Sequence, residues 1–419
     1  MKQQTVGLMV LTAAAVCALS AHGEVDWADA RIMGTTAGGK MFYAPGEEMN
    51  FTLKLENVKG ELPSDTYFID WTRTGDDGKK DGGRVPASLA EPLVIRTSIA
   101  QPGFVKIEAN VVTKDGKRVP KNHRWEKRVF FQGGAGVEPD KLTGAPEPDD
   151  FDAWWEKQRA LLKATPLEVL EKAPTPCDNP DMDLYRLRLS PTAGFRAATG
   201  YLSVPKAASP SKRFPVRFFF DGYGHNTSAR PYAPMTNRAD AIWFYVNQHG
   251  YELGKDEGYY ADFYKQIEPH GKTYSCDPEE NKSRETAYLR GMFLRDLRMI
   301  EYAKTLPEWN GKDLVMTGSS GGAMQSLCLA GIDRDISAVD AGIPCFCDLG
   351  GETFGRLTGF RPVTKYTPEI AYFDPANHAK RIACPVKINA AGMGDYTCPP
   401  STLSVLYNNL RVPKSIRWS

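Results

Sequence analysis

The chain has 419 residues, 42% of them hydrophobic and 11% aromatic, which suffices for packed cores and excludes a disordered composition. Its 52 Lys+Arg and 51 Asp+Glu nearly cancel, which argues against a nucleic-acid partner or a strongly charged membrane surface and favours a neutral small molecule or polymer. Length allows two or three domains.

Residues 1–23 read as a cleaved signal peptide. Lys2 precedes an apolar run from Val6 to Leu19, and Ala21-His22-Gly23 offers small residues for cleavage. The run is too short for a confident membrane span, so the mature protein is expected to be periplasmic or secreted. Lipidation at Cys17 is disfavoured by the bulky Val16 before it. Cys177, Cys276, Cys328, Cys345, Cys347, Cys384 and Cys398 remain, an odd set that leaves at least one free thiol. No C-x-x-C pair or histidine cluster points to a metal.

Residues 24–135 carry an all-β signal. Met49, Phe51, Leu53 and Leu55 alternate with polar residues, as do Val105, Ile107, Ala109 and Val111, so each run should bury one face. Turn sequences at Ala44-Pro45-Gly46, Gly75-Asp76-Asp77-Gly78, Gln101-Pro102-Gly103 and Asp115-Gly116 set a rhythm of short strands that predicts an immunoglobulin-like β-sandwich. His123 reads as a surface residue. The glycine run Gly133-Gly134-Ala135-Gly136 through Pro139 predicts a flexible boundary, with a second domain over 140–419.

That second domain opens on a helix beginning near Asp149 or Asp150, whose Phe151, Trp154, Trp155, Leu161 and Leu162 form one apolar face and predict a lid or clamp. Strands are expected at Leu184–Leu189, Ala197–Val204, Val216–Phe220, Ile242–Asn247, Ser337–Val339 and Pro385–Ala390. An amphipathic helix is expected through Leu289, Met292, Phe293, Leu297 and Ile300. Strands and helices alternate, which predicts a doubly wound, mostly parallel sheet of the α/β-hydrolase type.

The most informative stretch is Asp313 to Gln325. An apolar strand runs into Gly318-Ser319-Ser320-Gly321-Gly322 and on into helix formers, which is the G-x-S-x-G pattern of a nucleophile elbow. There Ser320 would be the nucleophile, Gly318 and Gly322 would make room for the turn, and the helix N-terminus would face negative charge. A small-residue turn that merely lets a strand pack on a helix is the alternative reading. Asp221-Gly222-Tyr223-Gly224, at the end of an apolar strand, stands where a second oxyanion donor is expected.

Four stretches together resemble the acetyl xylan esterase and cephalosporin C deacetylase group of α/β hydrolases, carbohydrate esterase family seven. They are Asp221-Gly222-Tyr223-Gly224 (usually His-Gly-Tyr in the family), Arg290-Gly291-Met292, Gly318-Ser319-Ser320-Gly321-Gly322, and Asp395-Tyr396-Thr397-Cys398-Pro399-Pro400-Ser401-Thr402. The resemblance covers roughly Pro148 to the C-terminus and implies a Ser-His-Asp triad. In it Ser320 is the nucleophile, Asp395 is the acid, and the backbone N–H groups of Tyr223 and Gly321 form the oxyanion hole. Asp340 and Asp348 are the runner-up acids. It implies no metal or organic cofactor, acetylated plant polysaccharide or oligosaccharide as substrate, and rings of identical subunits as an assembly. The N-terminal β domain resembles the extra module of secreted bacterial members.

Two departures stand out. Gly321 replaces the family's Gln after the nucleophile, and no histidine follows Asp395. His22, His123, His225, His249, His270 and His378 all precede it, and only His225, beside the presumed oxyanion loop, is a candidate substitute. The expectation is a chain that stops before the family's histidine and cannot turn over as it stands. The alternatives are a catalytically dead, carbohydrate-binding homologue and a serine hydrolase of other acyl or peptide preference.

Overall fold

The computed structural model describes residues 25–63, 65–121, 126–192, 194–225, 231, 233–357, 359 and 365–419. Residues 1–23, read above as a signal peptide and including Cys17, and His123 lie outside the described residues. Among the described residues the strands form three sheets.

The N-terminal strands are β1 (Arg31–Thr36), β2 (Phe42–Tyr43), β3 (Met49–Glu56), β4 (Tyr67–Gly75), β5 (Asp81–Pro86), β6 (Leu93–Thr97), β7 (Gly103–Thr113) and β8 (Phe130–Val137). One sheet has the order β1-β3-β6 and the other β2-β8-β7-β4-β5. The alternating residues of β3 bury Met49, Phe51, Leu53 and Leu55, which join Ile69, Ile107, Ala109 and Val111 of the other sheet in one core. β7 departs from the expected one-sided pattern. Its Phe104 and Lys106, on the outward face, are buried too, because the C-terminal domain covers them.

The glycine run is a strand where a flexible boundary was expected. Gly133 to Val137 lie in β8 and pair with β7 and β2, so the change of domain falls beyond Val137. Its glycines serve close packing: a Cβ on Gly134 would sit 2.3 Å from the Met393 carbonyl oxygen of the second domain.

That domain comprises α1 (Phe151–Ala164), β9 (Val169–Thr175), β10 (Met182–Leu189), β11 (Ala198–Pro205), β12 (Phe214–Phe220), α2 (Ala233–Asn237), β13 (Ile242–Asn247), α3 (Glu257–Ile267), α4 (Tyr288–Ala303), β14 (Trp309–Ser319), α5 (Gly321–Ile332), β15 (Ala338–Gly342), α6 (Pro375–His378), β16 (Val386–Ala391), α7 (Pro400–Asn409) and β17 (Lys414–Trp418). Its sheet runs β17-β16-β15-β14-β12-β13-β11-β10-β9. Pairing is parallel from β17 to β13 and antiparallel from β13 through β11 and β10 to β9. β9 was not foreseen; its exposed Val169 and Leu170 lack the apolar run of a central strand, as suits an edge. The helix expected to be amphipathic, α4, is buried nearly all round, Arg295, Asp296 and Arg298 included, because it lies between the sheet and α1.

Candidate active site

The carboxyl ends of parallel strands gather loops at one edge of the sheet, and β12, β13, β14 and β15 meet there. β14 ends at Ser319, and Ser320 then takes φ 54° and ψ −114° before α5 begins at Gly321. A non-glycine residue in that region is strained, at a cost of about 1–3 kcal/mol. The turn is held by hydrogen bonds from Ser320 N–H to Gly342 O (2.7 Å) and from Met324 N–H to Ser320 O (3.1 Å). Gly318 and Gly322 sit where no side chain fits. A Cβ on Gly318 would lie 2.4 Å from the Gly322 carbonyl carbon, and one on Gly322 would lie 2.0 Å from the Phe220 oxygen.

The loop after β12 lies against this turn. A Cβ on Gly222 would come within 3.9 Å of Ser320 Cβ, and one on Gly321 would be 2.9 Å from Tyr223 N. Tyr223 N and Gly321, the two residues assigned to the oxyanion hole, are therefore neighbours beside Ser320. The loop is tied from behind. Gln248 Nε2 donates to the carbonyls of Gly222 (3.4 Å) and Gly224 (3.1 Å) and to Tyr274 Oη (3.1 Å), and Gln325 Nε2 donates to Gln248 Oε1 (3.1 Å). Gly224 N–H donates to Tyr274 Oη (2.9 Å), and Tyr223 Oη donates to Tyr274 O (2.6 Å) while the two rings stack with centroids 4.3 Å apart. Burial pushes the Tyr223 phenol up, so it remains a neutral donor. Gln248, Tyr274 and Gln325 were not singled out in the sequence. The one available signal was that Gln248 directly follows a buried strand whose carboxyl end faces the site.

Asp395 lies in the loop between β16 and α7. Its Oδ1 accepts the N–H groups of Thr397 (2.7 Å) and Cys398 (2.8 Å), which folds the loop around the carboxylate. The Cys398 thiol interacts with the side chains of Cys345 and Ser320, and Cys345 N–H donates to Ser320 O (3.4 Å), so this loop meets the turn through Cys398. The hydrogen bond with Cys345, followed by burial, pushes the Cys398 thiol up, which keeps it protonated. All seven described cysteines are free, six of them buried.

The runner-up acids serve the framework. Asp340 Oδ1 accepts from Asn389 Nδ2 (2.6 Å). Asp348, pushed up to about 7 by burial, accepts from Arg356 Nη2 (2.7 Å).

Each of the four described histidines is engaged away from Ser320. His225 Nε2 pairs with Glu268 (2.5 Å) and its ring stacks on Tyr264. His249 is buried, with Nδ1 bonded to Tyr288 Oη (2.7 Å) and Nε2 to Gly224 O (2.9 Å), and burial pushes it down to about 3. His270 pairs with Asp277. His378 Nε2 donates to Tyr372 O (3.0 Å), and burial likewise pushes it down to about 3. Arg290, in the Arg-Gly-Met stretch, binds Gln158 (2.9 Å) and Glu285 (2.8 Å) and so joins α4 to α1.

The chain is similar to the acetyl esterase Axe7A of Xylanibacter ruminicola, with 27% identity over 348 residues that span 79% of this chain and 73% of that protein. Its fold is similar to those of two solved acetyl xylan esterases, from a Paenibacillus species and a Thermoanaerobacterium species. Both give a TM-score of 0.53 at 20% identity; each comparison covers 67% of this chain, and 91% and 90% of the respective structures. The profile of the acetyl xylan esterase (AXE1) family matches residues 142–358 and 361–418, a span that includes the Ser320 turn, the Tyr223 loop and the Asp395 loop. The chain belongs to the acetyl xylan esterase family and has its α/β-hydrolase fold.

Proposed function

We propose that this protein is a serine esterase that removes acetyl groups from acetylated xylan, xylo-oligosaccharides or related small acetyl esters. The observation that carries the reading is the strained turn at Ser320, flanked by Tyr223 N and the N-terminus of α5. In this reading Ser320 Oγ attacks the acetyl carbonyl, and the N–H groups of Tyr223 and Gly321 hold the oxyanion. Collapse expels the sugar oxygen, which takes up a proton, and water then releases acetate from the acyl-enzyme. A histidine oriented by Asp395 would move these protons. No histidine follows Asp395 in residues 1–419, and the four described ones are engaged elsewhere. This stretch alone is therefore expected to bind and polarise an acetyl ester with residual turnover only.

The net charge of +1 suits a neutral glycan. Residues 1–23 as a signal peptide would put the enzyme in the periplasm or outside the cell. The two N-terminal sheets, facing each other over one core, support an immunoglobulin-like sandwich.

The test is acetate release from acetylated xylo-oligosaccharide, with and without added imidazole as a substitute base. Release that rises with imidazole and vanishes in Ser320→Ala is the expected result. Release unaffected by Ser320→Ala would refute Ser320 as the nucleophile. Glycan binding without release under either condition would replace the enzyme with a binding protein.

A further inference from the structure

Lys106 points outward from β7 yet is only 2% exposed, and its Nζ has no hydrogen-bond partner. Opposite it in β8 stands Gly134, the residue whose missing side chain lets Met393 lie on the strand. On the other side of the same contact, a Cβ on Gly394 would meet Gly133 N at 2.4 Å. The backbone just before Asp395 thus rests on β8, and the Lys106 side chain reaches the Tyr396 ring just after it. Two carboxylates act on the amine, Glu108 from its own strand and Asp395 from the loop. Glu108 already has Asn110 (3.0 Å), Gln132 (3.2 Å) and Arg128 (3.5 Å) as partners. Asp395 makes no ion pair among the described residues.

We propose that Lys106 of the N-terminal domain is a positioning residue for Asp395, holding the acid's loop across the domain boundary through the packing of its side chain on Tyr396. The N-terminal domain then belongs to the catalytic unit. The catalytic consequence rests on the esterase reading above; the structural one does not. A buried amine without an acceptor destabilises the fold, so a lysine here is poorly explained by stability alone. Burial pushes Lys106 down to about 6, with Glu108 and Asp395 pulling the other way. Opening the contact would return the amine toward its ordinary range, so protonation favours the open loop, and the loop is held more loosely below about pH 6 than above it.

The test is hydrogen exchange of residues 392–398, corrected for intrinsic rate, between about pH 5 and 8, alongside the rate at which a fluorophosphonate labels Ser320. In the wild type both should step near pH 6. Lys106→Met should lose both steps and keep slow exchange throughout while melting at or above the wild-type temperature at neutral pH, and Lys106→Arg, charged at every pH, should lose the steps and exchange fast throughout. A Lys106→Met protein that retains the exchange step, or that only melts lower with its pH profile unchanged, overturns the proposal. Absence of Ser320 labelling in the wild type even with imidazole added as a substitute base would refute the esterase reading, and the exchange step would still decide the role of Lys106.

Discussion

Ser320 shows how a site is written at the scale of one residue. Its φ of 54° is unfavourable for any side chain and is tolerated because β14, α5 and the hydrogen bond to Gly342 over-determine the turn. Ser320→Gly should therefore remove the proposed nucleophile and also stabilise the protein, by about 1 kcal/mol after the extra entropy of glycine is allowed for. Urea unfolding measures this; a loss of stability would mean that the turn carries no strain. The elbow was legible in the sequence because steric exclusion acts between near neighbours. Gly318 and Gly322 are four residues apart and touch each other directly. Gln248 was not legible: its amide reaches Gly222, Gly224 and Gln325 only after separate strands have been brought together.

Between elements, α1 packs its aromatic face on His378 of α6. His378 packs between Phe151 and Trp155, with ring centroids 5.0 and 5.3 Å away, and Trp155 Nε1 and His378 Nε2 both donate to Tyr372 O. Burial lowers this histidine from 6.5 to about 3. Between those values the unfolded chain binds a proton that the folded chain does not, so stability rises with pH through that window and is lost on acidification. His378→Gln, which can still donate to Tyr372, should flatten the dependence by about 1.4 kcal/mol per pH unit within the window. Denaturant melts at several pH values test this, and an unchanged slope would mean that His378 titrates normally. The sequence predicted α1 from its apolar spacing, and the helix packs on α4 and on His378. Phe151 and Trp155 lie more than 200 residues from His378 in the chain, and no local pattern encodes that distance.

At the scale of the molecule, the two domains share a small core of their own. Phe104 of β7 joins Leu142, Ala376, Met393 and Val405, with Phe42 and Trp418 packed on it, and the Asp76 carboxylate accepts the N–H groups of both Phe104 (2.8 Å) and Leu357 (2.8 Å). A chain begun at residue 140 would expose that apolar surface and leave the Leu357 N–H without its acceptor. It should unfold at a lower temperature than the full chain and associate as concentration rises, which thermal melts and sedimentation would reveal. A fragment as stable and monomeric as the whole would show that the domains are merely tethered.

The glycine run of β8 marks the boundary between what local order decides and what it does not. Alternation, turn residues and the G-x-S-x-G spacing are short-range consequences of sterics and solvation, so the sequence alone determined the strand-rich first domain, the alternating second domain, and Ser320 with its flanking glycines. The same local reasoning read Gly133 to Gly136 as a flexible boundary, because glycine in isolation signals conformational freedom. Only the tertiary structure decided otherwise. Gly134 lacks a side chain so that the loop leading to Asp395 can lie against the strand, and whether a glycine loosens a chain or admits a neighbour depends on which distant segment folds onto it.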